Sequence, residues 1–482
     1  MDGFNLPLCS IMIEILMTLG LSPLIYLLFS RSKFEREISF IISIIIFVYT
    51  LFIFLTLDYG SIETQLSLEI LNYKFGIDNV SIFFIILSTF LQPICILINW
   101  NKTENLKEIL VYLFVIEFLL ILLFMTYNLL FFYILFESLL IPMFLYIGKF
   151  GARSRKIEAA FKFFIYTYIG SLIMLIGLAY IYYVKGTLDL ELLYVTEFTP
   201  NEQIFLWLSF FASFSVKIPI VPFHIWLPEA HVEAPTAGSV LLAGILLKLG
   251  IYGFIRFSIP LFPYGSVYFL PLIYTIGVVS ILYSSLATVR QIDLKKIIAY
   301  ASIGHMNFVL LGIFSQSIEG LMGAMYIMLS HGFISSALFA SIGMLYDRHH
   351  SRILYYYRGL TNVMPLFAVF FFLLNLANAS FPGTASFIGE FIILLPLLEL
   401  NAVIGAVVAF SLLFTTLYSI WLVNRVLFGS LTVYITKFND LFLREFSILG
   451  LFTFLIIYFG LNPSIIFNTL KSVFAFYSFM YL

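Results

Sequence analysis

Six ionisable residues stand inside long apolar runs of this sequence: Glu137, Lys217, Lys248, His305, His331 and Glu390. An ionisable side chain at membrane depth is expensive, so it normally faces a wet interior or a partner and marks an ion or proton path. Carboxylates, imidazoles and amines are also the groups whose pKa burial and neighbouring charge can move into a working range. A lysine next to a carboxylate is a switchable pair, since approach holds the proton on the amine and separation releases it. The chemistry these residue types suggest is proton relay. Glu117, in FVIEFLL, and a short stretch carrying His224, Glu229, His231 and Glu233 suggest an additional proton path. That stretch contains Pro222, Pro228 and Pro235 and reads as a turn. Its glutamates and histidine, spaced by two, do not share one helical face, so proton intake is expected there and no metal site.

Two of these residues lie beside expected helix breaks. Pro219 and Pro222 remove backbone donors close to Lys217. Pro382 and Gly383 interrupt the run shortly before Glu390, and glycine there admits unusual dihedrals. Broken helices at membrane depth occur where the freed backbone groups find protein or water.

The elements that must hold these groups are membrane helices. The chain has 482 residues, 62% hydrophobic and 11% charged, with a mean hydropathy of +1.06. That composition excludes a soluble globular domain and implies an all-α polytopic membrane protein. Fourteen spans are expected, near 8–30, 38–57, 79–99, 109–127, 129–148, 158–184, 203–221, 237–257, 266–288, 294–314, 319–346, 362–398 (broken), 402–428 and 446–468. With that count, the loops on one side carry 18 of the 25 lysines and arginines, and the positive-inside rule puts those loops inside and both termini outside. The net charge of −1 suggests no strongly charged partner and no nucleic acid. Cys9 and Cys95 sit in apolar runs without ligand spacing and are expected to be core thiols. The Asp58–Asp78 and Lys185–Gln203 stretches are expected to be polar exterior loops. No Gly-rich phosphate loop or cysteine cluster is present to hold a nucleotide, flavin or iron–sulfur cluster.

Internal repetition is faint. A broken span with Lys217 is followed by an unbroken one, and five spans later a broken span with Glu390 is followed by another. An odd offset inverts the second copy, as in transporters built from inverted repeats.

The stretch LPEAHVEAPTAGSVLLAGILLKLGIYG (Leu227–Gly253) resembles the hallmark of chain 4 of NADH:ubiquinone oxidoreductase, respiratory complex I, an antiporter-like, proton-translocating membrane subunit family. FGIDNVSIFFIILST, LFESLLIPMF, SFSVKIPIVPFHIWLPEAH, HGFISSALF and FPGTASFIGEF extend the likeness over nearly the whole chain. The resemblance implies two inverted five-helix repeats at 109–257 and 258–428, three leading helices in 1–108 and a last helix in 429–482. It implies proton translocation driven by NADH oxidation and ubiquinone reduction elsewhere, with NADH, flavin, iron–sulfur clusters and ubiquinone bound by other subunits and no cofactor in this chain. Glu137 and Lys217 match the family's ion pair, Lys248 its central lysine and Glu390 its terminal acid, with His305 and His331 between. Expected partners are other membrane subunits of the complex, especially the two sister antiporter-like chains, and lipids. The expected location is the mitochondrial inner membrane, with both termini towards the intermembrane space. A sodium/proton antiporter subunit and a non-pumping membrane scaffold are the alternatives.

Overall fold

The computed structural model describes residues 6–29, 34–61, 64–70, 73–432 and 439–479. Among these, twelve helices are long and apolar enough to cross a membrane. They are spans one to six, eight to eleven, thirteen and fourteen. The two remaining spans are those expected to be broken. Span seven runs as a helix over Pro200–Lys217 and resumes at Trp226–Glu233. Span twelve is split into Pro365–Asn378 and Ala385–Leu400. Twelve continuous spans and two interrupted ones account for the expected fourteen.

Each break satisfies its own backbone. At the first, the Trp226 indole donates to the Val216 carbonyl at 2.9 Å, and the Val221 amide donates to Ser280 Oγ at 3.0 Å. At the second, the Ser386 hydroxyl donates to the Ala377 carbonyl at 2.5 Å and the Thr384 hydroxyl to Phe381 O at 2.7 Å. Gly383 takes φ +92°, and Gly460 of span fourteen lies so close to its carbonyl that a Cβ there would collide. In lipid these local partners replace the water that a surface loop would use.

The chain forms two compact units. One comprises Met1–Phe214, Tyr252–Tyr268 and Asn468–Leu482, the other Ser215–Ile251 and Phe269–Phe467. Within the first, the helices are sorted inside out relative to a soluble protein. Span two, Glu35–Thr56, buries Ser39, Ser43 and Thr50 and exposes Ile41, Ile45, Val48, Phe52 and Leu55. Span six, Lys156–Lys185, buries Thr167, Gly170, Ser171 and Gly177 and exposes Ile165, Ile169, Ile173 and Ile176. Lipid is as apolar as leucine, so burying leucine gains nothing; small residues win the interfaces because they let backbones approach. Most of these buried hydroxyls are satisfied on their own helix, as Ser43 donates to Phe40 O at 2.8 Å and Thr167 to Phe163 O at 2.7 Å, whereas the Ser39 hydroxyl has no hydrogen-bond partner among the described residues.

Several sequence expectations need correction. The Asp58–Asp78 stretch contains an antiparallel hairpin, Leu66–Ile70 with Tyr73–Ile77, paired from Leu66 with Ile77 to Ile70 with Tyr73. The Lys185–Gln203 stretch contains a short helix, Leu190–Val195. Span fourteen ends at Leu461, and a second helix, Ser464–Phe479, follows Pro463, which has no amide proton to continue the first. The proline-rich stretch read as a turn is largely the helix Trp226–Glu233, which puts Glu229 and Glu233 four residues apart on one face. Cys95 is a buried thiol outside any disulfide. The side chain of Cys9 and residues Arg31, Lys33 and Lys437 of the basic loops lie outside the described residues.

Candidate proton-relay site

Span eight, Thr236–Leu261, is completely buried, and Lys248 lies between two wide turns of it. The helix is π-helical over Leu242–Leu246, α-helical over Lys248–Gly253 and π-helical again over Phe254–Ser258. Such turns cluster at functional sites, because i→i+5 bonding leaves backbone carbonyls without their usual partners. Lys248 uses one: its ammonium turns back to donate to the Ala243 carbonyl. The same Nζ lies 3.0 Å from Nδ1 of His331.

From there a run of contacts continues through the second unit. The rings of His331, in span eleven, and His305, in span ten, have centroids 5.6 Å apart. His305 Nδ1 is 3.2 Å from Glu390 Oε1. This is ion-pair distance without hydrogen-bond alignment, since Glu390 Oε1 and His305 Nε2 both lack a hydrogen-bond partner among the described residues. Tyr418 in span thirteen lies within electrostatic reach of Glu390 and hydrogen-bonding reach of Asn378. All four relay residues are buried. The structure therefore joins Lys248, His331, His305 and Glu390 into one line drawn from four spans. Every link can exchange a proton directly or through a water, and none involves a second lysine or arginine.

Lys217 is the last residue of its helix and is buried. Glu137, in the first unit, is half-buried next to the end of the helix Leu129–Ser138. That helix continues through Leu139, which keeps helical backbone angles, into Leu140–Phe150, and the ring of Pro142 crowds the carbonyl of Ser138 at the junction. Glu117 is buried in span four of the same unit.

The remaining candidates spread over the Trp226–Glu233 region. His224 packs against the rings of Tyr283 and Tyr300, 5.1 and 6.2 Å away between centroids. His231 is fully buried and stacks on Phe339 at 4.5 Å. Glu229 is half-buried, whereas Glu233 is buried with its carboxylate 3.8 Å from Arg352.

Three buried cations lie outside the expected site residues. Lys295 is buried and donates to Ala234 O at 2.8 Å and to Ser239 Oγ at 3.3 Å. Arg352 is buried, donates to Val232 O, and lies 3.7 Å from Asp293. Both bind the C-terminal end of Trp226–Glu233, where unpaired carbonyls and the helix dipole favour positive charge. A signal for Lys295 existed: Lys295, Ser302 and His305 follow at i, i+7 and i+10, so they share one helical face. Arg256, in the first unit, is buried and paired with Asp78, and its guanidinium lies 4.3 Å from the Tyr127 ring centre.

Comparison with known proteins places these residues in context. The family model for membrane subunits of NADH:quinone oxidoreductases and Mrp antiporters matches residues 126–416, and that for the amino terminus of NADH-ubiquinone oxidoreductase chain 4 matches residues 12–126. The chain is 50% identical over 459 residues to NADH-ubiquinone oxidoreductase chain 4 of Chondrus crispus, covering 93% of each. It is 51% identical over 445 residues to the same chain of Marchantia polymorpha, covering 90% of each. Among solved structures, a chain of respiratory complex I from Thermus thermophilus with bound NADH superposes with a TM-score of 0.89 at 26% identity, covering 97% of this chain and 100% of that one. A chain of the Mrp complex from a Dietzia species shares the fold, with a TM-score of 0.84 at 18% identity.

Proposed function

The chain belongs to the NADH-ubiquinone oxidoreductase chain 4 family, and from that premise we propose that protons pass along the line Lys248–His331–His305–Glu390. It is an antiporter-like, proton-pumping subunit of the membrane arm of respiratory complex I, driven by NADH oxidation and ubiquinone reduction in other subunits, and a multi-pass membrane protein. About 50% identity to chain 4 relatives over nine-tenths of the chain disposes of the separate-antiporter alternative. The observation that carries the proposed path is the unbroken run of buried, protonatable contacts from Lys248 to Glu390.

In this reading Lys248 alternates between an ammonium held by the Ala243 carbonyl and a neutral amine that has passed its proton to His331. His331 and His305 relay it through their ring nitrogens with bound water. Glu390 receives it and releases it outward or onward to a neighbouring subunit. Glu137 and Lys217 provide the input on sequence grounds, and Glu117, His224, Glu229, His231 and Glu233 are candidates for supply paths. Moving one charge across the membrane costs about 2.3 kcal/mol per 100 mV, so local pKa changes alone cannot drive the cycle. The input comes from redox chemistry at cofactors in the other subunits; this chain holds none.

The same proposal covers the finer organisation. Residues 109–257 and 258–428 are two inverted five-helix repeats, with three leading helices in 1–108 and a last helix in 429–482. The two interrupted spans, five apart, support that division. The basic loops face the mitochondrial matrix and both termini the intermembrane space. Sister antiporter-like chains and lipids are the neighbours.

The test is proton translocation measured alongside quinone reductase rate in assembled complex. Lys248→Ala and Glu390→Gln should lower both together, leaving assembly and NADH oxidation with an artificial acceptor intact. Normal pumping in both variants would eliminate the path and favour the scaffold reading.

A further inference from the structure

The first unit holds a second buried polar system. Span three, Ser81–Ile98, is mostly buried and apolar, yet Ser88, Gln92 and Cys95, with Asn99 as its C-cap, follow at spacings of four, three and four along one face. All four are buried. Glu117 of span four lies within electrostatic reach of Cys95, and the Tyr146 hydroxyl lies close to Cys95 and Asn99.

The hydrogen bonds here do not close. Both polar atoms of Gln92, Asn99 Oδ1, Glu117 Oε1 and the Tyr146 hydroxyl are buried without a hydrogen-bond partner among the described residues. Each such atom carries the desolvation penalty of an unmade hydrogen bond if it stays unpaired. Five of them on helices that pack together make a dry interior untenable, and water is the ordinary remedy for clustered unpaired polar groups. Glu117 also has no cationic side chain within reach among the described residues. An unpaired carboxylate in such surroundings is far costlier than the neutral acid.

The cluster has a direction. Asn99 caps the end of span three and Tyr146 is one turn from the end of the helix Leu140–Phe150, both at the face of the Lys102 and Lys149 loops. Glu117 lies eleven residues into its helix, roughly 17 Å along the axis from that face.

We propose that Asn99, Tyr146 and Gln92 hold a file of internal waters through which Glu117 exchanges its proton with the Lys102–Lys149 face independently of the Lys248–Glu390 line. This rests on the proton-translocation reading only for its purpose; the exchange itself is a separate property.

The experiment is hydrogen–deuterium exchange in the assembled complex, following the infrared carbonyl band of the Glu117 acid, assigned by its loss in Glu117→Gln. Tyr146→Phe removes one oxygen and keeps the packing; it should slow exchange roughly tenfold, the kinetic equivalent of one lost hydrogen bond. Gln92→Leu should act in the same direction, and Lys248→Ala should leave the rate unchanged. Absence of any Glu117-dependent band, wild-type exchange in both Tyr146→Phe and Gln92→Leu, or slowing by Lys248→Ala would each overturn the proposal. Failure of the main path would appear instead as normal pumping in Lys248→Ala, so the two outcomes are distinguishable.

Discussion

Lys248 and Arg256 are buried cations on the same span, eight residues apart, Lys248 just after one π-helical turn and Arg256 within the other. Their surroundings differ in kind. Arg256 faces a carboxylate: Asp78 pairs with it, and Asp78 also accepts from the Ser81 amide at 2.9 Å. Burial would raise the Asp78 carboxyl, but Arg256 and the Ser81 bonds more than offset this and hold it below the usual carboxylate range. Both partners therefore stay charged. Among the described residues, Lys248 has only a carbonyl and an imidazole in hydrogen-bond contact. Neither compensates a full positive charge as a carboxylate does, so that ammonium is the one that can give up its proton. A buried charge with a fixed counter-ion holds structure, and one offered only dipoles and a basic nitrogen is free to change state. Arginine also keeps its proton in proteins, whereas a buried lysine titrates readily.

The comparison breaks most visibly if the two counter-environments are altered. Asp78→Asn leaves Arg256 as an uncompensated buried charge, which costs about 3–5 kcal/mol. The expected outcome is a large loss of thermal stability and of assembled subunit, with an unchanged proton-to-electron ratio in whatever assembles. Lys248→Ala should do the reverse, preserving thermal stability while lowering the ratio. If Asp78→Asn instead lowered the ratio at wild-type stability, the two cations would not be of different kinds.

Swapping the cations sharpens the contrast at a smaller scale. Lys248→Arg should pump almost as poorly as Lys248→Ala, because guanidinium retains its proton. Arg256→Lys should pump normally and lose only part of the stability lost in Asp78→Asn. Equal pumping in wild type and Lys248→Arg would show that charge alone, and not its release, matters at this position. Within the relay, Glu390→Asp should reduce translocation less than Glu390→Gln, since it shortens the reach to His305 but keeps an acid; proton flux at matched assembly checks this.

Much of the architecture was legible because membrane helices obey few rules. Apolar run length located the spans, and Pro219 and Pro382 located the breaks. The intramembrane acids, lysines and histidines stood out because lipid excludes them. The hairpin was overlooked although LSLEI and YKFGI alternate in the period of a strand, with two residues between them. Lys295 and Arg352 fall near span ends, where charge normally snorkels; here helix-end carbonyls draw both inward. The π-helical turns had no signal, since LLAGILLKLG is ordinary helical sequence and the wide turn is imposed by packing. Contacts among Lys248, His331, His305 and Glu390 are tertiary, and residue spacing within one span cannot reveal them.

The wide turn at Leu242–Leu246 also limits how this segment can vary in length. The wide turn takes up one residue more than a regular α-turn, so removing one residue from it would restore α-helical bonding and leave everything beyond on the same face. Lys248 would still face His331, but regular bonding would claim the carbonyls that the wide turn leaves open to its ammonium, with hydropathy almost unchanged. Surface loops absorb insertions and deletions freely. Here a single-codon deletion, silent by composition, would be read as a point defect in the relay.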